Sequence, residues 1–140
     1  MKTELRSFLL APVVALALGG CATTNGGLAN SAERLQRASF AFQRDANYDG
    51  NSRELSRDVR ELTEEARDFQ RTLSDRHADD RDVEAAFREV SQSYHATRDE
   101  VERSRGRDPD RGFAAVTEAY LDLERAVNGT ARHDRLARDN

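Results

Sequence analysis

The chain has 140 residues, of which 34% are charged and 37% hydrophobic, and its formal net charge at neutral pH is −4. This length predicts a single domain, and so polar a composition excludes a protein with several membrane spans. The acidic balance disfavours nucleic acid as a partner, and the single cysteine, Cys21, excludes an intramolecular disulfide.

The first twenty residues have the parts of a bacterial secretion signal. Lys2 and Arg6 form a basic start, and an apolar stretch follows over residues 8–18. As a helix this stretch would measure about 16 Å, too short for a hydrocarbon core of about 30 Å. We therefore interpret residues 1–20 as a cleaved leader and not as a membrane anchor.

The leader ends in the tetrapeptide Leu18-Gly19-Gly20-Cys21, an aliphatic residue and two small residues before a cysteine. This segment resembles the lipobox of bacterial lipoproteins. The resemblance implies cleavage between Gly20 and Cys21, a diacylglycerol on the Cys21 thiol and a fatty acid such as palmitate on its new amino group. The alternative interpretation is an ordinary signal peptide with a chance cysteine near its end.

The residue after the cysteine, Ala22, bears on the destination of the chain. In the sorting pattern of enterobacterial lipoproteins, a residue other than Asp at this position implies export to the outer membrane, here on its periplasmic face. Retention in the inner membrane is the alternative. Residues 22–30 are small and polar and predict a flexible tether, so the folded part is expected to lie close to the bilayer.

Four later segments carry apolar or small residues at alternating spacings of three and four, the pattern of the a and d positions of a helical bundle. These residues are Ala32, Leu35, Ser39, Phe42 and Ala46; Leu55, Val59, Leu62, Ala66, Phe69 and Leu73; Val83, Phe87, Val90, Tyr94, Thr97 and Val101; and Phe113, Val116, Tyr120, Leu123 and Val127.

Capping and turn residues separate the segments. They are Asn30 with Glu33, the turn at 47–52 with Asn51 as cap, the break at 77–80 with Asp79 or Asp80 as cap, Asp108 and Pro109, and the stop at Asn128-Gly129. Because the breaks are short, we predict an all-α, antiparallel up-down four-helix bundle over residues 31–129, followed by a disordered tail over 130–140. A three-helix core with a loose first helix is the alternative. Five alanines predict close approach of the third and fourth helices: Ala85, Ala86, Ala114, Ala115 and Ala119.

Residues 45–50, Asp-Ala-Asn-Tyr-Asp-Gly, resemble the first half of an EF-hand calcium loop. The resemblance implies Ca²⁺ ligands, but the sequence departs from the family at Ser56, where a bidentate acid is required. The candidate metal ligands are Asp45, Asn47, Asp49, Glu54 and Asp58. The alternative is a plain interhelical turn, in which Gly50 supplies the bend and no metal is bound.

Two tyrosines lie on the stripes of the third and fourth helices. Tyr94 and Tyr120 indicate either a small polar pocket between these helices or core edges with hydrated hydroxyls. The hydroxyls need partners when buried, and Ser91, Thr97 and Thr117 are candidates.

The other titratable side chains favour solvated surfaces. The second helix alternates acidic and basic residues at helical spacing, which predicts salt bridges: Glu61, Glu64, Glu65 and Asp68 with Arg57, Arg60, Arg67 and Arg71. His77, His95 and His133 belong to no metal-binding repeat. No phosphate loop or nucleophile motif follows the leader.

These observations predict a lipid-anchored, non-enzymatic helical module that binds an envelope protein as a scaffold, chaperone-like or interaction domain. No small-molecule substrate is indicated. The alternatives are a calcium-responsive structural protein and a regulator of an envelope enzyme.

Overall fold

The structure is a computed structural model that describes the backbone of residues 23–48, 52–104 and 110–138. Side chains are described for residues 26–46, 52–104 and 112–130. The four helices are α1 (Thr23–Tyr48), α2 (Arg53–Ser74), α3 (Asp80–Arg103) and α4 (Asp110–Arg138). They pack as a compact helical bundle, and this confirms the predicted all-α fold.

The helices form a square in which each packs on its neighbours in sequence and α4 closes back on α1. Ser52 before α2 donates a hydrogen bond to Glu100 near the end of α3, and the guanidinium of Arg34 in α1 pairs with Asp122 in α4. Ser52 and Glu100 lie at opposite ends of their helices in sequence, and so do Phe42 of α1 and Phe113 of α4, whose rings pack together. Both pairs of helices are therefore antiparallel. The fourth side of the square, between α3 and α4, has the widest separation of the neighbouring backbones.

The core runs along the bundle axis and takes side chains from all four helices. Those with no exposed area include Leu35, Leu55, Val59, Leu62, Phe69, Val90, Val116 and Leu123. Since α1 supplies Leu35 and contacts both α2 and α4, the alternative of a three-helix core with a loose first helix is wrong.

Helix α1 begins before the predicted cap at Asn30. Its backbone is helical from Thr23, and Leu28 is buried against the core with 5% exposure. Leu28 lies four residues before Ala32, so it extends the apolar stripe by one turn, and its burial favours helix across Gly26 and Gly27. The predicted tether over 22–30 is therefore wrong for residues 23–30.

Side-chain oxygens cap the N-termini of α2 and α3. Ser52, one residue after the predicted cap Asn51, is the N-cap of α2, and its Oγ accepts a hydrogen bond from the Leu55 amide at 3.1 Å. Asp79, one of the two predicted caps, begins α3 and forms a reciprocal capping box with Asp82.

Helix α4 does not stop at Asn128-Gly129. The backbone continues through Gly129 to Arg138, so the predicted tail over 130–140 is helical as far as residue 138. A glycine ends a helix when it adopts a positive φ, but Gly129 has no such φ and stays helical. The predicted start of this helix at Asp108 and Pro109 lies outside the described residues.

A close approach of α1 and α4 depends on Gly112. A Cβ at this position would lie 2.8 Å from Cδ2 of Phe42. Phe42 is buried with 3% exposure, and its ring packs on Phe113 with the centroids 5.5 Å apart. The phenyl ring therefore occupies the space that any larger residue at position 112 would need.

Candidate functional site

The predicted lipidation site lies outside the described residues, since neither Gly20 nor Cys21 belongs to them. Among the helices that are described, none has the length and apolar character to cross a bilayer.

The candidate calcium ligands lie on both sides of a segment, residues 49–51, that is outside the described residues. Residues 45–48, which include the first two of these ligands, form the last turn of α1. Asp45 is exposed beside Arg44 at 3.8 Å, and Asp58 accepts two hydrogen bonds from Arg57. Glu54 lies exposed in the first turn of α2, and the side chains of Asn47 and Asp49 are outside the described set. Within that set, no three acidic, histidine or cysteine side chains converge on a common point.

A stack of four aromatic rings fills the space between α3 and α4. In order they are Phe87, Tyr120, Tyr94 and Phe113, and we call these four residues the aromatic column. The centroids of Tyr94 and Tyr120 are 3.8 Å apart with the planes 7° from parallel. Phe113 stacks on Tyr94 at 5.8 Å and Phe87 on Tyr120 at 6.3 Å. His95 meets both tyrosine rings edge-on.

The column continues into the other two helices at its ends. Phe42 of α1 contacts Phe113, and Phe69 of α2 contacts Phe87 with the centroids 6.2 Å apart. Both contacts are tilted, a geometry that aromatic pairs favour. The six rings therefore link all four helices through one side of the core.

The tyrosine hydroxyls are satisfied by two of the three predicted partners. Tyr120 Oη and Ser91 Oγ are 2.7 Å apart, and Tyr94 donates to Thr117 Oγ1 at 3.3 Å. Thr97 donates instead to a backbone carbonyl of its own helix. Burial raises the pKa of Tyr120, and the hydrogen bond with Ser91 partly offsets this effect. The rings of Tyr94 and Tyr120 are 4% and 2% exposed. They fill the space between α3 and α4 in which a small polar pocket was one of the two predictions.

The aromatic column also explains why α3 and α4 stay apart. Ala85, Ala114 and Ala115 are exposed, and only Ala119 is buried among the alanines expected to bring these helices together. The prediction of close approach is therefore wrong, because stacked rings at position a of both helices hold the backbones apart. The signal for this column in the sequence was a pair of aromatic residues seven positions apart in each of the two helices, Phe87 with Tyr94 and Phe113 with Tyr120.

Two buried carboxylates lie near the end of the bundle where α2 begins. Asp58 and Glu100 have 7% and 6% exposure. Glu100 Oε1 accepts from Ser52 Oγ at 2.9 Å, and its Oε2 forms an ion pair with Arg103 at 2.5 Å without hydrogen-bond geometry. Each carboxylate thus has an arginine of its own helix as its ion-pair partner.

The acidic face of α2 is less paired than its sequence predicts. Arg71 pairs with Asp68 at 2.8 Å, but Glu65 is half-buried among carboxylates. Burial raises the pKa of Glu65, and the nearby Asp68 and Glu89 raise it further. Negative charge therefore accumulates where α2 meets α3, at a cost to the bundle at neutral pH.

A shallow groove of about 610 Å³ lies between the start of α1 and the end of α2. Its lining is mixed in polarity and includes Asn30, Glu33, Gln36, Gln70 and Leu73. The groove is open, and its single carboxylate has no acid, histidine or cysteine beside it among the lining residues. This composition is that of a solvated groove between helices.

The histidines give no convergent site among the described side chains. His77 is exposed in the turn between α2 and α3, and His95 packs on the aromatic column. The side chain of His133 is outside the described residues.

Comparison of the chain with protein-family models, with curated proteins and with solved structures found no match.

Proposed function

We propose that this protein is a lipid-anchored helical module on the periplasmic face of the outer membrane that acts by contacting another envelope protein. The proposed membrane location rests on the lipobox-like segment that ends at Cys21. Several acyl chains, each contributing about 0.8 kcal/mol per buried methylene, anchor a protein stably to a bilayer.

The packing of the core favours a function that the protein performs through its surface. Its central space is taken by apolar side chains and by the aromatic column, whose hydroxyls are already hydrogen-bonded. The buried carboxylates Asp58 and Glu100 are paired with arginines. These features favour a rigid body that presents helical faces to a partner, in place of a cavity that receives a substrate.

Two large apolar side chains are exposed on different helices. Phe40 of α1 is 58% exposed and Leu121 of α4 is 44% exposed. An aromatic side chain held on a helix loses little conformational entropy when a partner covers it, so Phe40 is the better anchor for a protein contact.

The anchor is tested by mass spectrometry of the protein isolated from its native membrane. We expect a chain that begins at Cys21 and carries a diacylglycerol and a fatty acid, and a Cys21→Ala variant that is neither cut nor acylated. An unmodified Cys21 in the native protein would refute the proposal.

The partner is sought by photo-cross-linking in intact cells. A benzophenone amino acid is placed at Phe40, at Leu121 and, as an exposed control on α3, at Gln92. We expect a discrete cross-linked protein from position 40, and a fourth probe at the buried Phe69 reports the background. Equal labelling from positions 40 and 69 would count against a specific protein contact at this face.

A further inference from the structure

The exposed Phe40 lies on the side of the bundle where α1 packs on α2. Gln36 of α1 and Gln70 of α2 line the same groove, which joins the start of α1 to the end of α2, so these helices are antiparallel. Phe40 is one turn beyond Gln36 on the same face of α1 and is 58% exposed. It is therefore level with the turn of α2 that precedes Gln70 and includes Arg67.

The same side of α2 carries three arginines, which we call the basic row: Arg53, Arg60 and Arg67. They recur every seven residues, about 10.5 Å apart along the helix, and all are exposed. None of them forms an ion pair with a described side chain. Two acids share this side: Glu33, which pairs with Arg37 at 3.5 Å, and Glu64, which pairs with no described arginine. With Arg37 and Arg44 also exposed here, positive charge exceeds negative charge around Phe40.

The edge of α2 that faces α3 carries three acids at the same spacing, which we call the acidic row: Glu54, Glu61 and Asp68. They share the edge of Glu65, which is close to Glu89 of α3. Each follows an arginine of the basic row by one position, so both rows repeat every seven residues. Asp68 pairs with Arg71 at 2.8 Å, and the other two acids form no ion pair with a described side chain.

The two rows do not pair with each other within one molecule, but they match between two copies. The basic row lies on the α1–α2 side of the bundle and the acidic row on the α2–α3 side, and these are adjacent sides of the square. Docking the first side of one copy on the second side of the next rotates each copy by about a quarter turn. Without a shift along the axis, this rotation places every arginine of the basic row level with an acid of the acidic row.

The same rotation places Phe40 against a small side chain. Ser52 of α2 contacts Glu100 of the antiparallel α3. Counting fifteen residues forward from the first and fifteen back from the second places Arg67 level with Ala85. Since Phe40 is level with Arg67 in its own copy, it is level with Ala85 of the next copy, which is exposed. The charged residues within one turn of Ala85 are two arginines and three acids: Arg81, Asp82, Glu84, Arg88 and Glu89.

We propose that Phe40 and the basic row of one copy dock on Ala85 and the acidic row of the next copy, and that four copies close a ring with their α2 helices at the centre. This inference deepens the proposed function, on which it rests, because it names a second copy of the chain as the partner of Phe40. All copies in the ring point the same way, so their α1 helices begin at one end, as acyl anchors in a single bilayer require.

The size of the contact predicts weak, reversible association. A side of the bundle is two helices wide, about 20 Å, and α2 with its 22 residues is about 33 Å long. The contact therefore buries about 600 Å² on each copy and about 1,200 Å² in total, at the lower limit of specific interfaces. Confinement to one membrane would raise the local concentration of the chain and favour the ring.

The test is sedimentation equilibrium of the mature chain, residues 21–140, with Cys21→Ser to remove the acylation site. This chain keeps all four helices. We expect reversible association toward the mass of four chains as the protein concentration rises, and weaker association in added salt. Phe40→Ser should raise the dissociation constant by about tenfold or more. A chain that stays monomeric, or that stops at two copies, would overturn the ring.

Two charge variants test the head-to-tail arrangement. One replaces the basic row (Arg53→Gln, Arg60→Gln, Arg67→Gln) and the other the acidic row (Glu54→Gln, Glu61→Gln, Asp68→Asn). Neither should associate alone, because each lacks one half of the contact. Their mixture should form a complex of two chains and stop there, because it contains one intact basic row and one intact acidic row. Association of either variant alone as strongly as the unchanged chain would refute this arrangement.

Glu64 gives a test that a structural role would not pass. It lies on the outermost line of α2, between the two rows, so the ring brings four Glu64 carboxylates around its axis. Arg57 and Arg71 lie on the same line, but each already pairs with an acid. Glu64→Gln should therefore strengthen the association, and weaker association would count against the ring.

The matched control removes three arginines from surface positions outside the proposed contact: Arg76→Gln, Arg98→Gln, Arg125→Gln. It should associate like the unchanged chain. If the purified chain stays monomeric while the benzophenone at position 40 captures a different envelope protein, the contact between copies is overturned and the proposed function stands. An unmodified Cys21 in the native protein would overturn the anchor alone, because the sedimentation test does not use it.

Discussion

Removal of one ring from the aromatic column should be among the most destabilising single substitutions in this protein. Tyr120 is 2% exposed, lies between Tyr94 and Phe87 in the stack, and pairs its hydroxyl with Ser91. Tyr120→Ala leaves a cavity and removes both stacking contacts of this ring at once.

The expected cost combines two contributions. Truncation of a buried aromatic side chain to alanine lowers the free energy of unfolding by about 3–5 kcal/mol. The stacking between the rings of Tyr94 and Tyr120 contributes about 0.5–1.5 kcal/mol beyond the burial of area. Against a total stability of about 5–15 kcal/mol for a domain, Tyr120→Ala should remove about a quarter or more. Tyr120→Phe keeps the ring and should cost only about 1 kcal/mol, the contribution of one hydrogen bond.

The assay is urea unfolding followed by far-ultraviolet circular dichroism. For a small domain, whose free energy changes by about 1–3 kcal/mol per molar urea, Tyr120→Ala should lower the unfolding midpoint by about 2 M. The matched control is Leu121→Ala at the next position, where 44% exposure predicts a change within about 0.5 kcal/mol.

A double-mutant cycle isolates the stack itself. Tyr94→Ala and Tyr120→Ala should cost less together than the sum of the two single changes, with a coupling of about 0.5–1.5 kcal/mol. If Tyr120→Ala costs no more than Leu121→Ala, or if the two tyrosine substitutions are additive, the column does not hold α3 to α4 and the reasoning is refuted.

Three further predictions use other parts of the bundle. Gly112→Ala should lower stability by about 1–3 kcal/mol because its Cβ collides with Phe42, whereas Gly129→Ala, with open space around it, should raise it by up to about 1 kcal/mol; equal thermal melting shifts would contradict the difference. Ser52→Ala should cost about 1–2 kcal/mol in urea unfolding because the α2 cap is lost, and an unchanged midpoint would argue against this cap. Glu65 has a pKa raised above the ordinary value of 4.5, so protonation of Glu65 stabilises the folded state below pH 4.5. This stabilisation is lost as the pH rises through the pKa that Glu65 has in the folded state. Glu65→Gln should therefore raise the melting temperature at pH 7 and leave it nearly unchanged at pH 4, and the opposite order would refute this assignment.

The boundaries of the helices were predicted well only where a side chain supplies the cap. The start of α3 was predicted at Asp79 or Asp80, and Asp79 is the cap because its carboxylate accepts the first amides of the helix. The stop at Gly129 was wrong because a glycine permits a left-handed turn without requiring one. Similarly, the start of α1 depends on Leu28, whose burial could not be known before the opposing helices were in place.

The candidate calcium loop shows the same limit. Its oxygens occur at the right spacing in the sequence, but the last turn of α1 includes residues 45–48 and keeps the first of them on a helix. Local spacing therefore describes which ligands are available, and the path of the backbone decides whether they meet.

The sequence alone determined that this chain forms four amphipathic helices, because alternating spacings of three and four residues need only the geometry of one helix to be recognised. It also supplied every member of the aromatic column. Only the tertiary structure decided that α3 and α4 are separated by stacked rings at Tyr94 and Tyr120 and that Phe42 of α1 packs on Phe113 of α4. These properties depend on which helices face each other and in what register, and that is a consequence of packing between segments distant in the chain.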